Sequence, residues 1–320
     1  MLIPVLLFIL GLALLIKGGD WFVEGAVGVA RRYHLSELLI GATVVSIGTT
    51  LPEVMVSSQA AILGNSGISY GNAIGSIICN TALIAALSAA IRPSKVDSAT
   101  LRTPTFVFFV AALIYALTAW LRGGFSRLNG IIFLVIFVIY MFVLIRQGLS
   151  HPEKASETDA AKDAPIWPDL IRLAVGAAAI AVGANLLVNN GTKIAQALGV
   201  PDSVIGLTFV ALGTSLPELV TAITSLAKGH SALSLGNVIG ANIFNIVLVS
   251  GLAITISPFK VPAEKTIRGI NSSLVIDIPL MLIVMGILTI PTILKGRLKR
   301  WQGILLLGIY VVFTVYQFMI

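Results

Sequence analysis

Apolar runs of about 18 to 25 residues recur from one end of this 320-residue chain to the other. A run of that length lets an α-helix cross a bilayer, where every backbone N–H and C=O must find its partner inside the segment. A barrel would show short alternating strands instead. Ten runs are read as spans: Leu2 to Tyr33, Ser36 to Leu63, Ser69 to Ile91, Thr103 to Leu121, Arg127 to Ile145, Pro168 to Ala197, Pro201 to Ala227, Ala232 to Ser257, Ser272 to Leu294 and Arg300 to Phe318. With 57% hydrophobic residues, 11% charged and a mean hydropathy of +0.99, a soluble surface is excluded. The reading is an all-α, multi-pass protein of the cell membrane with ten transmembrane helices. Its first run is too long for a signal-peptide core and no small-residue cleavage pattern follows, so it counts as a span. Cys79, the single cysteine, excludes an internal disulfide and is expected to be a small buried residue.

The net charge of +7 does not point to nucleic acid, because the basic residues lie at span ends, not on one polar face. Loops after spans 1, 3, 5, 7 and 9 hold fourteen Lys and Arg against six on the other side. The richer side is assigned to the cytoplasm, so both termini face outward and the central linker is cytoplasmic.

The chain also repeats itself. A shift of 165 residues lays Ile40–Asn80 on Ile205–Asn245 without a gap, with 18 identities in 41 positions. "GTTLPE", ending at Glu53, meets "GTSLPE", ending at Glu218, and "GNAIGSIICN" meets "GNVIGANIFN". The division is residues 1–147 as a first five-span repeat, 148–167 as a polar linker and 168–320 as a second repeat. Five is odd, so the second repeat enters the membrane inverted, an arrangement typical of secondary transporters.

Pro52 lacks an amide hydrogen, so the Gly48 carbonyl loses its helical partner, and Pro217 repeats the situation at Gly213. Breaks are expected in helices 2 and 7 at these prolines, and also in the polar-striped helices 3 and 8, with freed carbonyls lining a polar cavity or binding an ion. Glu53 and Glu218 each fall in the turn after a proline, where the helix dipole favours a carboxylate. Ser46, Thr49 and Thr50 add hydroxyls beside Glu53, and Thr214 and Ser215 beside Glu218. Asn72, Ser76 and Asn80 share one helix face, matched by Asn237, Ala241 and Asn245. An all-oxygen set without His or Cys suits hard cations such as Ca²⁺ and Na⁺. One Ca²⁺ neutralises both glutamates, and protons could do so too, leaving an H⁺/Ca²⁺ antiporter as the alternative.

These motifs, in an inverted pair of five-span repeats, resemble the alpha repeats of the sodium/calcium exchanger branch of the cation/Ca²⁺ antiporter superfamily, as a bare transport core. The resemblance implies a secondary active Na⁺/Ca²⁺ antiporter working by alternating access, with spans 1 and 6 sliding or rocking. It implies that Glu53 and Glu218, with backbone oxygens of Thr49 and Thr214, hold Ca²⁺. Na⁺ would use Ser46, Thr49, Thr50 and Ser76 on one side and Ala211, Thr214 and Ser215 on the other, with Asn80 and Asn245 at the centre. Potassium-dependent relatives carry an acid where Asn245 stands, which argues against K⁺ dependence; Ala241 stands where relatives often have serine, removing one contact to Na⁺.

Other classes fit less well. Tight carboxylate sites would slow a cation channel and no filter loop is visible, while an intramembrane enzyme lacks an H-E-x-x-H motif. No enzyme activity, cofactor, nucleic acid or obligate protein partner is implied; Ca²⁺ and Na⁺ are substrates and the bilayer is the surroundings. Asp20, Glu24 and Asp277 are read as structural or entrance residues, and His34, His151 and His230 as interfacial.

Overall fold

The computed structural model of the chain describes residues 2–150, 165–198, 213–263, 266–267 and 269–319. Ten helices follow among them: α1 (Leu2–Arg32), α2 (Glu37–Ile62), α3 (Ser66–Ile91), α4 (Ser98–Arg122), α5 (Arg127–Ser150), α6 (Trp167–Ala197), α7 (Leu216–Ala227), α8 (Ser231–Ile256), α9 (Ser273–Lys295) and α10 (Arg300–Met319). Eight of these, all but α7 and α10, stand out as long and apolar enough to cross a bilayer, which makes this a membrane protein. The Pro201 to Leu212 part of the seventh expected span, and residues 151–164 and with them His151 and most of the expected linker, lie outside the described residues. A short antiparallel pair, Ser94–Lys95 with Arg297–Leu298, ties the α3–α4 loop to the α9–α10 turn.

Local chemistry sets the helix ends. The Asp97 carboxylate caps α4, accepting from the amides of Ala99 (3.0 Å) and Thr100 (3.3 Å) and from the Thr100 hydroxyl (2.5 Å). The Thr100 hydroxyl, against a little desolvation and with help from the two amides, holds this carboxyl below its usual value. Asp97→Ala is expected to cost about 0.5–2 kcal/mol. Because the folded value is the lower one, the cap stabilises fully above the carboxyl's unfolded pKa and is lost as pH falls through the folded one; unfolding curves on both sides of that window check this. Gly123, at a φ of 63°, closes the same helix in the left-handed region.

The expected breaks in helices 2, 3 and 8 are not what the chain adopts. All three run through, and each contains a wide π-helical turn: Gly41–Val45, Asn80–Ala85 and Asn245–Val249. Such a turn inserts one residue, relieving backbone strain without parting the helix into halves. Hydroxyls five residues on cover the widened carbonyls, Ser46 Oγ donating to Gly41 O (2.6 Å) and Ser250 Oγ to Asn245 O (2.9 Å). Pro52 sits inside α2, its lost hydrogen bond absorbed by a helix packed on several sides. Helix α7 does start at its motif, with Ser215 at the N-cap and Pro217 in the first turn, where a missing N–H costs nothing.

The most apolar stretches of α3 and α8 are 72% and 78% buried, against 22–24% for α1, α5 and α6, so α3 and α8 are central and the others face lipid. Around them gather Phe108, Tyr115, Phe133, Tyr140, Phe244 and Met285. A second cluster, with Phe22, Val23, Leu173 and Ile180, joins α1 to α6. Glycines let that pair touch backbone to backbone: a Cβ on Gly11 would lie 2.9 Å from Gly183 O, and one on Gly18 would lie 3.0 Å from Gly176 O. The two helices run antiparallel, and the 165-residue shift turns Gly11 into Gly176 and Gly18 into Gly183. One contact thus maps onto the other with the partners exchanged.

Candidate cation site

Where α2 and α7 meet between α3 and α8, Glu53 and Glu218 are both wholly buried, and their charges act on one another. None of their four carboxylate oxygens closes a hydrogen bond among the described residues. The Thr49 and Thr50 hydroxyls face Glu218 without completing one. Two buried carboxylates with no partner are strongly unfavourable unless a cation sits between them or their charge is otherwise lost.

Neutral oxygens surround the pair. Ser46 is fixed across the halves, donating to Asn237 O at 3.0 Å as well as to Gly41. Thr49 Oγ1 donates to Asn237 Oδ1 at 3.1 Å. Thr50 Oγ1 has no partner, and neither do the oxygen and nitrogen of the Asn80 and Asn245 amides, although all three residues are buried. Asn80 and Asn245 each open a π turn, so the matched asparagines stand at matched backbone irregularities. Ser76 is buried one turn before Asn80, Ser215 is buried at the start of α7, and Thr214 is half-buried beside it. Ala211 lies outside the described residues.

The structure therefore brings together Glu53, Thr49, Thr50 and Ser46 from one half with Glu218 and Asn237 from the other. Asn72 instead ties helices, donating to Ser57 Oγ (2.8 Å) and Glu53 O (3.2 Å), which fixes the backbone of α2 at the glutamate. Sequence reasoning passed over Thr221 and Asn242. Thr221, one turn after Glu218, is buried with an unpartnered hydroxyl, and its spacing of three from the glutamate was the available signal. Asn242 donates to Thr81 Oγ1 (2.7 Å) and Met285 Sδ (3.2 Å) on a helix face next to the predicted stripe, which the pattern of every fourth residue could not show.

Among the described residues no cluster of three or more His, Cys, Asp or Glu exists that could hold a metal. Two carboxylates with hydroxyl, amide and carbonyl oxygens remain, a set suited to hard cations. Beside them a narrow crevice opens between Phe22 and Ala177 of the α1–α6 pair and Gly48, Thr49, Pro52 and Pro217 of the site helices. Asp20 and Glu24 stand away from the site: Lys228, just past α7, pairs with Glu24 Oε1 (2.8 Å) and Asp20 Oδ1 (3.2 Å).

The sodium/calcium exchanger protein family model matches residues 3–146 and 169–319. The sodium/calcium exchanger MaX1 of Methanosarcina acetivorans is 33% identical, with 98% of each chain covered. An uncharacterized membrane protein of Methanocaldococcus jannaschii is 37% identical over 95% of each chain. A solved structure of the sodium-calcium exchanger NCX_Mj, soaked with 10 mM Na⁺ and no Ca²⁺, superposes with a TM-score of 0.81 at 35% identity over 98% of both chains. The described helices, the paired motifs and these matches over nearly the whole length agree, and the chain belongs to the sodium/calcium exchanger family, a family of membrane transporters and not of enzymes.

Proposed function

We propose that this exchanger trades Na⁺ for Ca²⁺ by alternating access at a midplane site between Glu53 and Glu218. The observation that carries the reading is the four unpartnered carboxylate oxygens, buried among hydroxyl and amide oxygens that also lack partners. One Ca²⁺ between the glutamates, with backbone oxygens of Thr49 and Thr214, cancels both charges. Na⁺ ions replace it at Ser46, Thr49, Thr50, Ser76, Ala211, Thr214 and Ser215, with Asn80 and Asn245 at the centre. Either load neutralises the site, and a neutral site is what a helix pair can slide past cheaply. The names of MaX1 and NCX_Mj, both sodium and calcium exchangers, support this choice of ions.

Ten transmembrane helices, including α7 with its preceding segment and α10, form two inverted five-helix repeats. The antiparallel α1–α6 contact, which exchanges partners under the 165-residue shift, supports the pseudo-two-fold axis. The α1–α6 pair moves, both termini lie outside, and the linker is cytoplasmic. The test is labelled Ca²⁺ uptake into proteoliposomes loaded with Na⁺ and diluted into Na⁺-free buffer, with equal pH across the membrane and the voltage clamped. Uptake that requires internal Na⁺ is expected; uptake that ignores Na⁺ and follows an acidic interior would replace sodium coupling with proton coupling.

A further inference from the structure

Asn242 of α8 is wholly buried in a stretch of core where Ile239, Ile243 and Ile246 are equally withdrawn. Its Nδ2 donates to Thr81 Oγ1 on α3 at 2.7 Å and to Met285 Sδ on α9 at 3.2 Å. Thr81 gives its own hydrogen to Ile77 O at 2.7 Å, so its oxygen can only accept, and the amide nitrogen belongs on that side. Both amide hydrogens of Asn242 are then used. Its Oδ1 has no partner.

The internal repeat shows that packing alone does not ask for this pair. The 165-residue shift takes Asn242 to Ile77 and Thr81 to Ile246, so the equivalent pair is two isoleucines, both wholly buried. The neighbouring asparagines do obey the repeat: Asn80 and Asn245 match, and each opens a π turn. Thr81 follows Asn80 inside its turn, Asn80–Ala85. Asn245 comes three residues after Asn242, across one turn of α8, where side chains are neighbours. Asn242 thus grips the turn that carries one central asparagine and precedes the other on its own helix. A buried amide left partly unsatisfied costs free energy that an apolar residue would not.

We propose that Asn242 is a positioning residue for Na⁺, an inference that rests on the sodium reading above. Through Thr81 it fixes the turn that aims Asn80. Its free Oδ1 accepts an amide hydrogen of Asn245, which leaves the Asn245 oxygen turned to the ion. An amide that offers its oxygen to a cation must place its hydrogens elsewhere, and among the described residues those of Asn245 have no acceptor yet. Glu53 and Glu218 stand on α2 and α7, outside this brace, so Ca²⁺ is little affected by it.

Labelled Ca²⁺ uptake into proteoliposomes, at graded internal Na⁺ and graded external Ca²⁺, tests this alongside the unfolding midpoint in detergent. Asn242→Leu combined with Thr81→Val removes the polar pair at nearly constant shape. It is expected to raise the Na⁺ concentration for half-maximal uptake about 2- to 10-fold, the worth of one net hydrogen bond. The half-saturating Ca²⁺ concentration stays within about twofold of wild type, and the cation-free midpoint does not fall. Thr81→Val alone, which takes the acceptor from Asn242, shifts Na⁺ in the same direction, whereas Thr81→Ser keeps the hydroxyl and the wild-type Na⁺ dependence. Wild-type Na⁺ dependence in both valine variants, equal shifts for the two ions, a Na⁺ shift shared by Thr81→Ser, or a double variant that fails to fold would overturn the positioning role. A wild type whose uptake ignores internal Na⁺ removes the sodium reading itself, and this inference with it.

Discussion

Glu53→Gln and Glu218→Gln are each expected to lower Ca²⁺ exchange at least about a hundredfold, since removing one of two buried charges that face a divalent ion costs on the order of 3 kcal/mol or more. The shape of the side chain is kept, so packing survives, and each variant should unfold at the same temperature as wild type or higher without cations. That second expectation separates the site from a structural role: the glutamate oxygens have no protein hydrogen bonds to lose. A wild-type rate of labelled Ca²⁺ uptake in either variant would remove the carboxylates from the transport site. A collapse of folding in both would mean that they hold the helices together instead.

Gly236→Val is expected to destabilise the fold by about 1–3 kcal/mol, the usual cost of forcing atoms into a packed interface. A Cβ at Gly236 would fall on the Leu38 carbonyl, carbonyl carbon and Cα, backbone atoms that cannot rotate away. Gly41 stands in the same interface from the other side, its Cβ direction blocked by Leu233 O at 2.5 Å. Spreading α2 from α8 also draws Asn237 off Thr49 and Ser46, so exchange should fall together with the unfolding midpoint in detergent. A valine variant with the wild-type midpoint would show that α2 and α8 do not pack as described.

Much of this was legible in the sequence because membrane helices leave strong signals. Eight of the ten expected spans appear as helices long enough to cross, since hydrocarbon tolerates no other open segment. Glu53 and Glu218 stood out because a buried acid is costly and hexapeptides alike at five of six positions framed both. The course of the backbone around them was not legible. Proline chemistry predicts a lost hydrogen bond at Gly48, yet α2 runs through Pro52 as a regular helix held by its neighbours, and the wide turns of α2, α3 and α8 fall at Gly41–Val45, Asn80–Ala85 and Asn245–Val249, where no proline marks them. Asp20 and Glu24 could be placed near an entrance but not paired, because Lys228 reaches them from about two hundred residues away. Asn242 was hidden by its phase: it stands one residue beyond Ala241, on the adjoining face of the same helix, so a stripe read at every fourth residue steps over it.

The glycine contact between α1 and α6 also makes the two surfaces commensurate. Glycines recur every seven residues, at Gly11, Gly18 and Gly25 on α1 and at Gly176 and Gly183 on α6. Seven residues of helix are about 10.5 Å long and nearly two whole turns, so a shift of one repeat brings round almost the same face. Displaced by that amount, Gly18 stands opposite Gly183 and Gly25 opposite Gly176, restoring small residue against small residue. Between these registers, side chains such as Leu15 and Phe22 must ride over the opposing helix. The glycine spacing thus offers a second register in which two glycine pairs can meet, set apart from the first by the side chains that lie between.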